Sequence, residues 1–317
     1  MAKTRFAPDR GLTSRMVFVM FLIGLLAVAF IAALIAFVPA QSLPIVLVLA
    51  FGLLFAQFFF SDKIATFAMG AREVQPQDSR EAAALHAVVD RLCSLADMPK
   101  PRVAIADTPV PNAFATGRNP KNAVICVTTG LLRNNAQLTQ EEVEGVLAHE
   151  LSHVAHRDVM VITIASFLGI LAGLVGRMAF WFGLGGDRRD DRDGGVPVQL
   201  IIMLVSIVTY AISFLLIRAL SRYRELAADR AGALLTGRPM ALASALGKIT
   251  GDMARIPQQD LRAAEPYNAF YFAPAFSKES MMSLLSTHPS TERRIEQLYK
   301  INAQLGGPAP EVHGHRH

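Results

Sequence analysis

The chain is 317 residues long, 52% hydrophobic and 18% charged, with a formal net charge of +5 and two cysteines. Its mean hydropathy is positive and its apolar residues fall in blocks long enough to cross a bilayer, which excludes an ordinary soluble domain and reads as a membrane protein. Two cysteines exclude a disulfide-stapled secreted scaffold. The basic excess lies on the flanks of the apolar blocks, with no aromatic-interleaved basic face, so no nucleic-acid partner is expected.

Four spans are predicted, at residues 16–37, 43–60, 159–182 and 198–217, from apolar length and scarcity of charge. The first exceeds the apolar length of a cleavable signal, so it is read as a retained anchor even though Ala40 mimics a cleavage site. Lys3, Arg5, Arg10 and Arg15 precede it, and Lys63, Arg157, Arg218, Arg222 and Arg224 fall on the same side when four spans alternate. The positive-inside rule makes that side cytoplasmic. The loop 183–197 on the other side carries Arg188, Arg189 and Arg192 interleaved with aspartates. Cys93 and Cys126 fall in the cytoplasmic portion, fit a reducing compartment and read as small buried apolar residues.

Between the second and third spans, residues 78–98 are apolar at Leu85, Val88, Val89, Leu92 and Leu95, with Asp78 as cap and Glu81 three residues later. This predicts a helix packed on the motif helix described next, with His86 in a structural role. Residues 102–106 and 122–128 are short apolar runs bounded by Pro, Asn and Gly, which predicts a small sheet with 112–117 between them. Thr139 and Glu142 form a capping box ahead of Val143, Val146, Leu147, Leu151 and Val154 at helical spacing. That helix carries His149-Glu150-Leu151-Ser152-His153. Positions i and i+4 project from one face, so both imidazoles can grip one zinc ion. Glu150 can then reach a water at the metal without competing for the metal, as a general base must.

A catalytic zinc held by such a pair needs a third protein ligand. The motif helix is expected to run into the third span, and the fourth span emerges into Ser221-Arg222-Tyr223-Arg224-Glu225-Leu226-Ala227-Ala228-Asp229. His153 and Glu225 then stand roughly 9 to 12 Å beyond the hydrocarbon edge, at about 1.5 Å per residue. Glu225 and Asp229 share a helical face, which suits the first to ligation and the second to accepting a hydrogen bond from a ligand imidazole. His156 fits the next turn of the motif helix but is the poorer third ligand. Ligands beyond the span ends disfavour a metal transporter, and Glu141, Glu142, Glu144, Arg157 and Asp158 make the motif helix too polar for an intramembrane site. A non-enzymatic membrane scaffold would need no metal site at all.

These two blocks, with Pro111-Asn112-Ala113-Phe114-Ala115-Thr116-Gly117 and Ser286-Thr287-His288-Pro289, resemble the HtpX-type membrane zinc metallopeptidases, relatives of the type I CaaX prenyl proteases. The resemblance runs from the first span to about Leu298. It implies a mainly α membrane protein with four transmembrane helices and a cytoplasmic gluzincin-like α+β zinc-protease domain. One zinc would sit on His149, His153 and Glu225, with Glu150 as catalytic base and His288 steadying the oxyanion or the substrate. It also implies cleavage of misfolded or damaged membrane proteins in a bacterial inner membrane. The absence of a Walker-type Gly-x-x-x-x-Gly-Lys-Ser/Thr sequence makes that proteolysis ATP-independent.

On the residues alone, Asn112, Ala113, Phe114 and Ala115 read equally as a structural turn or as an edge that holds substrate as an added strand. The resemblance favours the second, which grips extended polypeptide with little side-chain selectivity. A CaaX-type prenyl-peptide protease shares the chemistry but resembles a larger set of spans. The expected organisation is a transmembrane hairpin at 1–61, the first catalytic part at 62–158, a second hairpin at 159–220, the second catalytic part at 221–304 and a disordered tail at 305–317. Arg293 is a further candidate beside His288, but reads more readily as a solvated or ion-paired helix arginine. The tail histidines His313, His315 and His317 and the aromatic group Phe270, Tyr271, Phe272 and Phe276 take no assigned role.

Overall fold

A computed structural model describes residues 10–37, 43–133, 138–185, 197–253 and 288–307. The aromatic group around Phe270 and the tail histidines lie outside them. The described chain is mostly helical, with one small sheet.

Helix α1 (Arg10–Phe37), α7 (Asp158–Gly185) and α8 (Val198–Thr236) are each long and apolar enough to cross a membrane. The expected second span appears as the 17-residue α2 (Leu43–Phe59), followed after one residue by the short α3 (Ser61–Ala68) at a bend of 67°. The two together meet the same length and composition requirement. Three spans are therefore clear by length, and the broken pair α2–α3 is the candidate fourth. The α7–α8 pair packs closely because small residues face each other: a Cβ added at Gly176 would lie 3.2 Å from the Ser206 Cβ, and one at Gly169 would lie 3.8 Å from that of Ser213. Without a hydrophobic drive between apolar helices in lipid, such close approach is what holds them together. A membrane-side core of Ile23, Phe30, Val46, Leu168, Leu171 and Leu220 joins α1, α2, α7 and α8.

The sheet comprises β1 (Ala71–Glu73), β2 (Arg102–Ala106), β3 (Ala113–Thr116) and β4 (Val124–Thr128), in the order β1-β2-β4-β3. Strands β2 and β4 are parallel and the other pairs antiparallel, with Ala113 opposite Val127 and Ala115 opposite Ile125. The segment between the two expected strands is thus itself a strand at the sheet's edge. β1 was not expected, because three residues reading Ala-Arg-Glu carry no apolar alternation.

Helix α4 (Arg80–Ala96) packs beside the sheet, but its cap is Ser79, whose side chain accepts from the Ala82 N–H. Asp78 instead accepts from the Gln75 N–H at 2.7 Å and closes the turn before the helix. His86 is buried and bonds the Val74 carbonyl at 2.9 Å, a structural role. After the short α5 (Thr129–Leu132) comes α6 (Gln140–Ala155), opened by the expected Thr139/Glu142 capping box. Glu142 also takes the Ser244 hydroxyl and the Lys248 ammonium of α9 (Pro239–Met253), which fixes α6 against that helix. A second core of Val89, Ile125, Leu147, Leu151, Leu246 and Leu298 unites α4, the sheet, α6, α9 and α10 (Thr291–Gln304). Cys93 and Cys126 are buried and free, and burial pushes their thiols up to about 11 and about 12.

The motif helix does not run unbroken into the third span, contrary to the sequence expectation. It ends at Ala155, and Arg157 adopts a left-handed conformation at φ +55° before α7 starts at Asp158. This non-glycine residue in a disfavoured region marks a sharp turn with a consequence at the site.

Candidate active site

Helix α6 places His149 and His153 one turn apart, with their Nε2 atoms 3.2 Å from each other. The long α8 brings Glu225 to them: Oε2 lies 3.6 Å from His149 Nε2 and Oε1 lies 3.5 Å from His153 Nε2. Among the described residues these three offer ligand atoms within 4.8 Å of one another. Ligands about 2.0–2.1 Å from a tetrahedral ion stand roughly 3.3–3.4 Å apart, so the two imidazoles and the carboxylate fit such an ion without rearrangement.

Each imidazole is oriented through its other nitrogen. His149 Nδ1 lies 2.9 Å from Asp229 Oδ1, one helical turn beyond Glu225, as the shared helical face requires. His153 Nδ1 lies 2.6 Å from Asp158 Oδ2. Asp158 is brought to it by the left-handed turn at Arg157 between the end of α6 and the start of α7. With each Nδ1–H donated to a carboxylate, both Nε2 lone pairs are left for a metal. At His149, burial disfavours the proton but the Asp229 hydrogen bond and charge outweigh it, raising the pKa to about 9. At His153, burial dominates and lowers it to about 4.

Both aspartates are themselves held by arginines. Arg294 is completely buried and donates Nε and an Nη to the two oxygens of Asp229, each at 2.7 Å. Arg224, also buried, pairs with Asp158. Sequence reasoning considered Arg293, whose backbone N–H meets the Ser290 cap, and missed its neighbour. Arg294 lies in phase with the buried Leu298 and Ile301 at i+4 and i+7, so an arginine on an apolar stripe was the available signal. Asp158 had none, since its place depends on a non-helical turn.

Glu150 is buried beside the two histidines, and burial raises its pKa. Its Oε2 accepts the Ala115 N–H at 3.0 Å. Thr128 N donates to the Asn112 carbonyl, so alternation along β3 turns the backbone of Asn112 toward β4 and that of Ala113 and Ala115 away from it. No strand pairs with that outer side among the described residues. β3 ends just before Gly117, where φ is +134° and a Cβ would come to 2.5 Å from the Asn122 carbonyl oxygen. His288 is buried with its Nδ1 3.0 Å from Glu225 Oε2. His156, by contrast, turns to the Ser152 carbonyl at 2.8 Å and is not a member of the cluster.

All of this is possible only because α6 and α8 touch backbone to backbone. A Cβ on Gly232 would lie 2.8 Å from the His149 nitrogen. The resulting site opens into a cleft of about 420 Å³, walled by β3 on one side and by Val159, Ile162 and Ile217 of α7 and α8 on the other.

Residues 79–302 match the sequence profile of peptidase family M48. The chain is 58% identical to a Streptomyces coelicolor protein named Protease HtpX homolog 1, over 97% of this chain and 99% of that one. It is 49% identical to the Protease HtpX homolog of Moorella thermoacetica, over 96% and 98% respectively. Its fold is similar to the crystal structure of S. mikatae Ste24p, with TM-score 0.50 and 16% identity, covering 92% of this chain and 66% of that one. A membrane-type helical bundle joined to a buried two-histidine, one-carboxylate cluster accords with these matches: the chain is a membrane metallopeptidase and belongs to the HtpX-type proteases of family M48.

Proposed function

We propose that the chain is a zinc-dependent endopeptidase that cleaves misfolded or damaged membrane proteins without ATP, from a four-span anchor in a bacterial inner membrane, with its site on the cytoplasmic side. The observation that carries the chemistry is the mutual spacing of His149, His153 and Glu225 beside a buried Glu150. His149, His153 and Glu225 would hold the zinc ion, which when bound would supply a Lewis acid for the scissile carbonyl and for an attacking water.

Glu150, buried beside both imidazoles, would take the proton of the attacking water and pass it to the leaving amine. Asp229 and Asp158 keep the imidazoles in one tautomer throughout. His288, which lines the same cleft beside Glu225, steadies the charge that develops on the carbonyl oxygen. The outward backbone of Ala113 and the carbonyl of Ala115 pair with an extended substrate, while the Ala115 N–H, donated to Glu150, sets the distance between strand and base. Backbone pairing and an apolar cleft wall suit substrates that share exposed, extended, apolar chain more than a sequence. The cytoplasmic placement is supported by the basic residues flanking the expected spans on the site's side.

The test is Glu150→Gln in the purified, reconstituted protein. Hydrolysis of a membrane-protein substrate should fall by at least about 10² to 10⁴-fold, the range of general-base catalysis, with metal content as in wild type. Wild-type turnover by the variant would sink the mechanism. A prenylated peptide cleaved in preference to unfolded membrane protein would replace the substrate reading while leaving the chemistry intact.

A further inference from the structure

Helix α3 wears its faces in reverse. On its inner side, Asp62 pairs with Arg102 of β2, and Ala65 is completely buried against Ala104, Ala106 and Phe114. On its outer side, Phe60, Lys63, Ile64 and Phe67 follow one another at i, i+3, i+4 and i+7. Their three large apolar members are 45%, 50% and 90% exposed. In water, an amphipathic helix turns its apolar stripe to the core and its acid to solvent. Here the acid is inside and two phenylalanines and an isoleucine are outside, so water is not the medium this face is built for.

What covers that face follows from what precedes it. α2 ends one residue before α3, and its outward Phe51 and Phe55 are 58% and 59% exposed. The apolar surface of a membrane helix therefore continues around the 67° bend onto α3. Cations mark the same level: Lys63 Nζ lies 5.9 Å from the Phe60 ring centre, and the Arg118 guanidinium lies 4.3 Å from that of Phe59 while donating to the Phe59 carbonyl at 3.4 Å. Long basic side chains beside aromatic rings at the end of a span are suited to the phosphate layer, with their stems in apolar surroundings and their charges outside.

We propose that α3 is a foot seated in the phospholipid surface, with Phe60, Ile64 and Phe67 in the headgroup–acyl boundary and Lys63 and Arg118 against lipid phosphates. Ser61 and Ile64 also line the active-site cleft, together with Val159 and Ile217 from the ends of α7 and α8. The foot thus holds the edge of β3 at the level where a polypeptide leaves the bilayer, and the cleft receives segments that have just emerged from lipid. This second consequence rests on the protease reading above; the seating of α3 does not.

The seating is measured on the full chain in vesicles of zwitterionic and anionic phospholipid, with Phe67→Trp placed in a Trp181→Phe background so that it is the only tryptophan. Its emission should be blue-shifted, and lipids brominated near the carbonyl end of the acyl chain should quench about half of it or more, exceeding those brominated near the terminal methyl, as expected about 5–10 Å deep. Emission like that of tryptophan in water would overturn the proposal. A blue shift without bromine quenching would do so too, by giving the face to a protein partner or a second copy. The quenching is readable in a protein without activity, so failure of the protease reading leaves it intact. Phe67→Glu then tests delivery: cleavage of a membrane-embedded substrate should fall about ten-fold, while a soluble unfolded peptide is cleaved at the wild-type rate. Equal effects on the two substrates would overturn the delivery role.

Discussion

From Val198 to about residue 217, α8 turns Leu204, Ile207 and Val208 outward and tucks Ser206, Thr209 and Ser213 inward against the neighbouring helices. From Leu220 onward the same unbroken helix buries Glu225, Asp229, Ala231, Gly232 and Ala233 and surrounds them with a hydrophobic core. The first half is apolar outside and small inside, as lipid requires. The second is polar at one buried spot, where Glu225 and Asp229 meet His149, His153, His288 and Arg294. One helix obeying two solvents teaches how the candidate metal site is assembled: the membrane hairpin sets where Glu225 stands, and the core around α6 sets how closely it approaches the histidines.

This contrast predicts that substitutions in the second half act on the metal and those in the first half do not. The largest effect is expected at Gly232→Val, because even a Cβ would intrude to 2.8 Å from the His149 nitrogen. Overpacking of this kind costs roughly 1–3 kcal/mol, and here the strain falls on a ligand's own backbone. Metal content should be lost and the thermal midpoint lowered, as read by metal analysis and a melting curve. A fully metal-loaded Gly232→Val protein would show that α6 and α8 can part without cost.

Next come the two aspartates. Asp229→Ala and Asp158→Ala should each weaken metal binding by about 10 to 100-fold, with zinc recoverable at higher concentration in a chelator competition. Asp229→Ala belongs at the upper end, since it strips the completely buried Arg294 of its paired carboxylate. Equal wild-type affinity in both variants would mean that the imidazoles need no orientation. The smallest effect is expected at Leu204→Ala, a lipid-facing position in the first half, where the stability change should stay within about 0.5 kcal/mol and metal and proteolysis should be unchanged. Loss of metal in Leu204→Ala would erase the distinction between the halves.

How much of this was legible in the sequence follows from how local each signal is. The capping box at Thr139 and the i, i+4 histidines are statements about one helix, and the structure reproduces both. Glu225 and Asp229 were legible because a hairpin of two apolar helices can return the chain only to its own side, and because i, i+4 fixes their common face. Asp158 was invisible because it depends on a left-handed turn at an arginine, which no periodicity encodes. The same turn is why the motif helix stops before the third span. Ser79 displaced Asp78 as cap because both are good caps one residue apart, and Asp78 is engaged with the Gln75 N–H. The end of the second apolar block was the least legible. Apolar length said span, whereas the bend between Phe59 and Ser61 and the inverted faces of α3 are set by packing of Ala65 on the sheet.

The central claim is that α8 returns a third ligand to the histidine pair of α6. Glu225→Ala tests it most directly, with metal content measured by elemental analysis alongside proteolysis on the same purified protein. The account predicts that metal and activity disappear together, because two neutral imidazoles alone hold a divalent ion weakly and leave its charge uncompensated. Full metal occupancy with wild-type proteolysis in Glu225→Ala would contradict it and detach the His149/His153 pair from the site built around it.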